Sequence, residues 1–268
     1  MKNYIILLFL IIFSFIVGCK KNNEINETNE EEKFASITLK FSHYNGGKLI
    51  EFDTMIYENE AGNKYLVNEI QYFISDVVLH KSDGEDILID EWKDIHYIDT
   101  DILSTQTWKI PDKLAAGNYN SISFTFGISE AKNHTLMFLN PPERDMFWPE
   151  YLGGGYHYMK QNGKWLSDEN TINPFDFHLG VGQIYHSYPD SITGFIQNYF
   201  QVNLPSSSFD LIENQTKEIE ISMNTENWFR NPNIYDHNVY GGDIMQNQEA
   251  MNLACENGHN VFTVKILN

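Results

Sequence analysis

An all-β domain, an antiparallel β-sandwich with long loops and one C-terminal helix, is the fold this sequence predicts. Three observations point to it. Short runs alternate apolar and polar residues with the period of a half-buried strand. Gly- and Asn-rich turn clusters (HYNGGK, NEAGNK, KSDGED, AAGNYN, KQNGKW) separate those runs. One segment near the C-terminus breaks the alternation. In chain order, SITLKFSH (36–43) places Ile37, Leu39 and Phe41 on one face, and His43 continues it. SISFTF (121–126) turns Ile122, Phe124 and Phe126 inward, and EIEISM (218–223) does so with Ile219, Ile221 and Met223. NVFTVKIL closes the chain with Phe262, Val264 and Ile266 on one side. The exception is GGDIMQNQEAMNLACENGHN, where Asp243 can cap a first turn and Gly258 can take a left-handed position after the last. A helix is therefore expected near 244–256. No repeat and no Pro- or Ser-rich linker divides residues 34–268, so a single domain is expected there.

The N-terminus is read separately from the fold. Residues 1–18, MKNYIILLFLIIFSFIVG, join a basic start to an apolar run that ends in a small residue, the layout of a secretory signal peptide. Ile16-Val17-Gly18-Cys19 resembles a bacterial lipobox, which implies cleavage before Cys19 and diacylation of its thiol. A plain transmembrane anchor is the alternative, since the run is almost long enough to span a bilayer. Residues 19–33 are polar and increasingly acidic, with nothing to bury, and read as a solvated tether. Lys20 stands where many Gram-negative lipoproteins retained at the inner membrane carry Asp. By that resemblance the protein is expected at the outer membrane, on its periplasmic or surface face.

Composition excludes several functions. Lys and Arg number 18 against 37 Asp and Glu, a net charge of −19, and loss of residues 1–18 with Lys2 makes it −20. That field disfavours nucleic acid and anionic lipid surfaces. Cys255 is the only Cys besides Cys19, so with Cys19 lipidated neither a disulfide nor a Cys-rich metal site can form. The chain has no nucleophile elbow, P-loop, dinucleotide fingerprint or H-E-x-x-H, and no carboxylate pair stands out for glycoside hydrolysis. A role without catalysis is expected.

The nine His residues carry more information. His43 ends an apolar strand face, and His96 in IHYID shares a face with Ile98. His157 and Met159 in YHYMK point the same way if that segment is extended. His178 in FDFHLG lies opposite the Phe175/Phe177/Leu179 face. A hydrogen-bonded structural role is the alternative for each. Imidazole and thioether without thiolate suit copper, particularly Cu(I). Calcium, the competitor in so acidic a chain, lacks its D-x-[DN]-x-[DN]-G-x5-E loop. Residues 146–160, MFWPEYLGGGYHYMK, add a Gly run that lets the backbone approach closely while His157 and Met159 line a pocket; Trp148 is expected to pack.

YLVNEIQYFISDVVLHKSDG, AGNYNSISFTFGI, MFWPEYLGGGYHYMKQNGKW and FHLG resemble the MbnP family in content and order, as do the closing WFRNPNIYD and IMQNQEAMNLACENGHNVFTV. These methanobactin-associated proteins are related to the copper-binding proteins CorA and MopE. The resemblance implies an extracytoplasmic β-domain that binds copper, and a diheme-type redox partner or an outer-membrane transporter. It also implies copper held by two His and a kynurenine, made by oxidising a Trp two residues before the first His. His43 matches that first His and His96 the second. The residue two before His43 is Phe41, which cannot become kynurenine. The expectation is an outer-membrane-anchored copper-binding lipoprotein, with His43, His96, His157, His178 and Met159 as candidate ligands and Cys19 as the lipidation site. The alternative is a saccharide- or peptide-binding module using exposed aromatics of WPEYLGGGYHY, or a structural β-sandwich without metal.

Overall fold

In the computed structural model the described residues are 33–91 and 94–268. The expected signal peptide, the expected lipidation site Cys19 and the expected tether up to residue 32 lie outside them.

The alternating runs form strands whose apolar faces meet. One sheet orders Phe262–Ile266, Thr216–Asn224, Phe34–Asn45 and Lys48–Leu49, with Thr107–Lys109 and Leu114–Ala115 also pairing Phe34–Asn45. The other is built around the 18-residue strand Lys64–Lys81. Met159–Leu166 and then Ile172–Leu179 extend it on one side, and Gly117–Phe126 and then Phe200–Leu204 on the other. Ile95–Asp99 also pairs with the central strand, from Gln71↔Asp99 to Ser75↔Ile95. A separate hairpin, Gly182–Ser187 with Ser191–Ile196, stands apart from both sheets.

The two sheets face each other through aromatic side chains. Tyr72 of the central strand meets Phe262 at 6.2 Å, and Phe124 meets the same ring at 5.3 Å. The predicted inward positions Ile37, Leu39, Phe41, Ile122, Phe124, Phe126, Ile219, Ile221, Met223 and Phe262 are in this core, while Val264 and Ile266 of the last strand are only partly buried against it. Fully burying a side chain of this size contributes about 1.5–3 kcal/mol. Truncating Phe124 to Ala would cost about 3–5 kcal/mol, because the two facing sheets cannot collapse into the void.

The pairings among the described strands are antiparallel with one exception. Phe34–Asn45 runs parallel to Thr216–Asn224, in register from Ser36↔Thr216 to Tyr44↔Asn224. Strand alternation specifies which face is buried, but not which neighbour lies alongside.

The helix is Gln248–Gly258, later than expected at both ends. Asn247 is its cap, accepting from the Ala250 amide at 3.1 Å. Asp243 instead closes the turn before it, accepting from the Met245 amide. Gly258 is the last helical residue and not a left-handed one; its missing side chain makes room for Phe200, whose Cζ would lie 2.2 Å from an added Cβ. A further one-turn helix, His237–Tyr240, is capped by Asp236, which accepts from the Asn238 amide at 2.8 Å.

Candidate metal centre

His43 ends the inward face of Phe34–Asn45, where the alternation predicts it. Its ring meets Tyr72 edge-on at 5.8 Å. Its Nε2 is buried without a hydrogen-bond partner. Burial lowers its pKa to about 4, so at neutral pH the ring is uncharged and keeps a lone pair. A cavity of about 250 Å³ lies beside it, lined by Phe41, Ile50, Phe52, Thr100 and Gln106 among others. A buried polar atom left in this state costs about 1–3 kcal/mol unless something binds it.

His96 lies in Ile95–Asp99, a strand buried throughout. Its ring is sandwiched between Trp108, 4.7 Å away and nearly parallel, and Phe41 at 5.4 Å. Its Nε2 is 2.8 Å from the Thr105 carbonyl oxygen. A carbonyl only accepts, so Nε2 carries a proton, and in the neutral ring the lone pair is then on Nδ1. Metal-binding imidazoles are commonly oriented this way, one nitrogen tied to a backbone oxygen. Phe41 links the two histidines: it lines the cavity beside His43 and stacks on His96.

The other candidates do not join this place. His157 and His178 form their own pair, ring centroids 5.1 Å apart and nearly perpendicular. Met159 is opposite Leu179 and Tyr72 in the sheet, fully buried in the core. Residues 157 and 159 therefore do not share a face as extended geometry would require. The strand begins only at Met159. Ahead of it the chain folds back on itself: the His157 amide donates to Met146 O at 2.7 Å and the Trp148 amide to Gly155 O at 2.9 Å. Gly153, Gly154 and Gly155 all have positive φ, and a Cβ on Gly155 would lie 2.5 Å from Asn133 Oδ1. The Gly run thus serves a backbone crossing, and the five candidate ligands separate: His157 and His178 are in ring contact, His43 and His96 lie on either side of Phe41, and Met159 is in the core. Among the described residues no three His, Cys, Asp or Glu gather in a metal-binding group.

Trp148 packs as expected. It is fully buried, donates from Nε1 to the Leu152 carbonyl at 3.1 Å, and meets the His157 ring at 4.7 Å. Tyr156 and Tyr158 are buried too, leaving Tyr151 as the exposed aromatic of WPEYLGGGYHY. An aromatic platform for a sugar does not form from that stretch.

The MbnP family model matches residues 34–249. The chain belongs to the MbnP family. A solved structure, MbnP from Methylosinus trichosporium, matches with a TM-score of 0.51 at 12% identity, covering 88% of this chain and 100% of that one. At that identity the likeness shows the fold. A comparison with curated proteins returns no match. In this MbnP-family chain Phe41 precedes His43 by two residues and its ring lies against His96.

Sequence reasoning missed His237. It is 1% exposed, ringed by Trp165, Phe175, Phe229 and Tyr235, and neither ring nitrogen has a hydrogen-bond partner. Burial lowers its pKa to about 4, against the pull of the adjacent Asp236 carboxylate. The surrounding NIYDHNVY has neither a two- nor a four-residue apolar period, and the Asp236 cap was its one local cue.

Proposed function

We propose that this MbnP-family chain binds copper, as Cu(I), through the imidazoles of His43 and His96, and handles the metal without catalysis of its own. Its setting in this reading is the outer membrane, anchored through acylated Cys19. The observation that carries the metal assignment is the buried, unpartnered Nε2 of His43 beside a cavity. His96 supports it, because the Thr105 carbonyl fixes the tautomer that leaves a lone pair on Nδ1.

The donor chemistry selects among metals. Calcium needs six to eight oxygens and structural zinc four ligands. Two neutral nitrogens with no carboxylate or thiolate suit a soft monovalent ion of low coordination number. The walls favour the same ion: Phe41, Ile50 and Phe52 are apolar, and the side-chain oxygens of Ser42, Thr100 and Gln106 are neutral, so no carboxylate compensates a divalent cation. A bound copper would supply a one-electron couple; His43 and His96 would hold it, with burial keeping the His43 ring uncharged and its Nε2 lone pair available.

The test is anaerobic Cu(I) titration against a competing chelator. His43→Ala and His96→Ala should each remove one tightly bound equivalent, and the double variant should lose no more than either. A folded double variant that keeps the full wild-type capacity would overturn the assignment.

A further inference from the structure

We infer that His157 and His178 form a second metal site, distinct from the His43/His96 place, which takes a soft monovalent cation of the Cu(I) type. Hydrogen bonds fix the protonation of both rings. His157 Nδ1 is 2.9 Å from the Met146 carbonyl oxygen, which can only accept, so the proton is on Nδ1 and the lone pair on Nε2. His178 Nε2 is 2.7 Å from Asn162 Oδ1. The orientation of that amide follows from its other end, because Asn162 Nδ2 donates to Glu69 Oε1 at 2.6 Å. His178 therefore keeps its proton on Nε2 and its lone pair on Nδ1, and Nδ1 is buried with no partner.

Two imidazoles in contact would ordinarily share a proton, one donating to the other. Here each proton is already committed to a protein oxygen, so two lone pairs remain and no hydrogen joins them. A cation satisfies that arrangement. Imidazole nitrogens bind metals at about 2 Å, so two rings on one ion have centroids roughly 5–6.5 Å apart, from bent to linear. The observed 5.1 Å is at the bent end, so the linear arrangement that two-coordinate Cu(I) and Ag(I) prefer requires the rings to part by roughly 1 Å.

The surroundings choose the charge. Lys160 is directly opposite His178 in the sheet, with its Nζ on the Asp145 carbonyl at 2.6 Å. Its field, added to burial, disfavours protonation of both imidazoles. The same field repels a dication twice as strongly as a monocation. Trp148 closes one side of His157. Two nitrogen donors, a neighbouring ammonium and an aromatic wall leave Zn(II) and Cu(II) short of ligands and charge compensation.

The experiment uses the full mature chain with Ag(I), a redox-inert stand-in for Cu(I), and repeats each titration with Cu(I). Wild type should take two equivalents and His43→Ala/His96→Ala one; adding His178→Ala should remove that last one. On the unmutated protein, long-range proton–nitrogen NMR should show Ag(I) shifting His157 Nε2 and His178 Nδ1. This second measurement holds even where His178→Ala fails to fold. Failure of the His43/His96 assignment would look different: its double variant would match wild type, while His178→Ala alone would abolish binding. The second site is refuted if the His43/His96 variant binds no Ag(I), or if the His157 and His178 nitrogens stay unmoved at saturation.

Discussion

His237→Phe should flatten the acid sensitivity of the fold by a predictable amount. The ring is slotted between Trp165 and Phe175, at 5.6 and 4.8 Å with interplanar angles of 20° and 24°, so a planar replacement keeps the stack. The folded pKa is about 4 against 6.5 for the unfolded chain. Because the folded value is depressed, the unfolded chain takes up a proton first as pH falls. Stability is intact above about pH 6.5, declines between 6.5 and 4, and levels off below 4 as far as this residue is concerned. From pH 7 to pH 4.5 the linkage relation gives a loss of roughly 2.4 kcal/mol for two such pKa values, toward a limit of about 3.4 kcal/mol. His237→Phe removes that loss. The absolute stability of the variant at pH 7 also reflects two relieved ring nitrogens and one extra ring atom, so the pH-dependent difference is the quantity to measure. In urea, with a slope of ~2.5 kcal/mol/M, the wild-type midpoint should fall about 1 M further than the variant's between the two pH values. Parallel declines would refute the reasoning, since they would mean that His237 titrates in the folded protein as it does in the unfolded one.

Three more outcomes are expected. Gly163→Ala should lower stability by several kcal/mol in a melting experiment, because its Cβ would lie 2.2 Å from the Leu66 carbonyl oxygen, where backbone cannot yield. Asn257→Ala should cost about 2–4 kcal/mol by denaturant titration: fully buried, it donates to the Trp228 and Asn233 carbonyls and accepts from the Asn233 amide. Cys19→Ser should shift the protein from the membrane to the soluble fraction or leave it unprocessed, whereas unchanged membrane fractionation would favour a transmembrane anchor.

What could be read from the sequence follows a physical division. Faces were legible: Leu39, Phe124 and Ile221 alternate with polar neighbours, and the two-residue period determines which side is buried. His178 was correctly placed opposite Phe177 for the same reason. Partners were not legible, because alternation is identical for parallel and antiparallel neighbours; the pairing of Phe34–Asn45 with Thr216–Asn224 has no local mark. His157 was misjudged against Met159 because three left-handed glycines end the extended geometry on which a two-residue period depends. The helix limits moved because GGDIMQNQ holds two capping residues, Asp243 and Asn247, and tertiary packing of Phe200 on Gly258 set the far end. The His43 position was legible as an end of an apolar face, while the unpartnered state of its Nε2 depends on what surrounds it in space.

The parallel pairing constrains the order of events when the chain crosses a membrane amino-terminus first. Ser36 is available early, yet its ladder partner is Thr216, 180 positions later in the chain. Until that partner emerges, Ile37, Leu39 and Phe41 cannot be covered from that side, and one edge of the strand keeps its amides and carbonyls open. A strand in that condition is a template for pairing with other chains. Contacts of such separation also form slowly, since the intervening loop must close first. On the proposed export route the first strand therefore waits for its partner until the last fifth of the polypeptide arrives, and low local numbers over that interval would protect it.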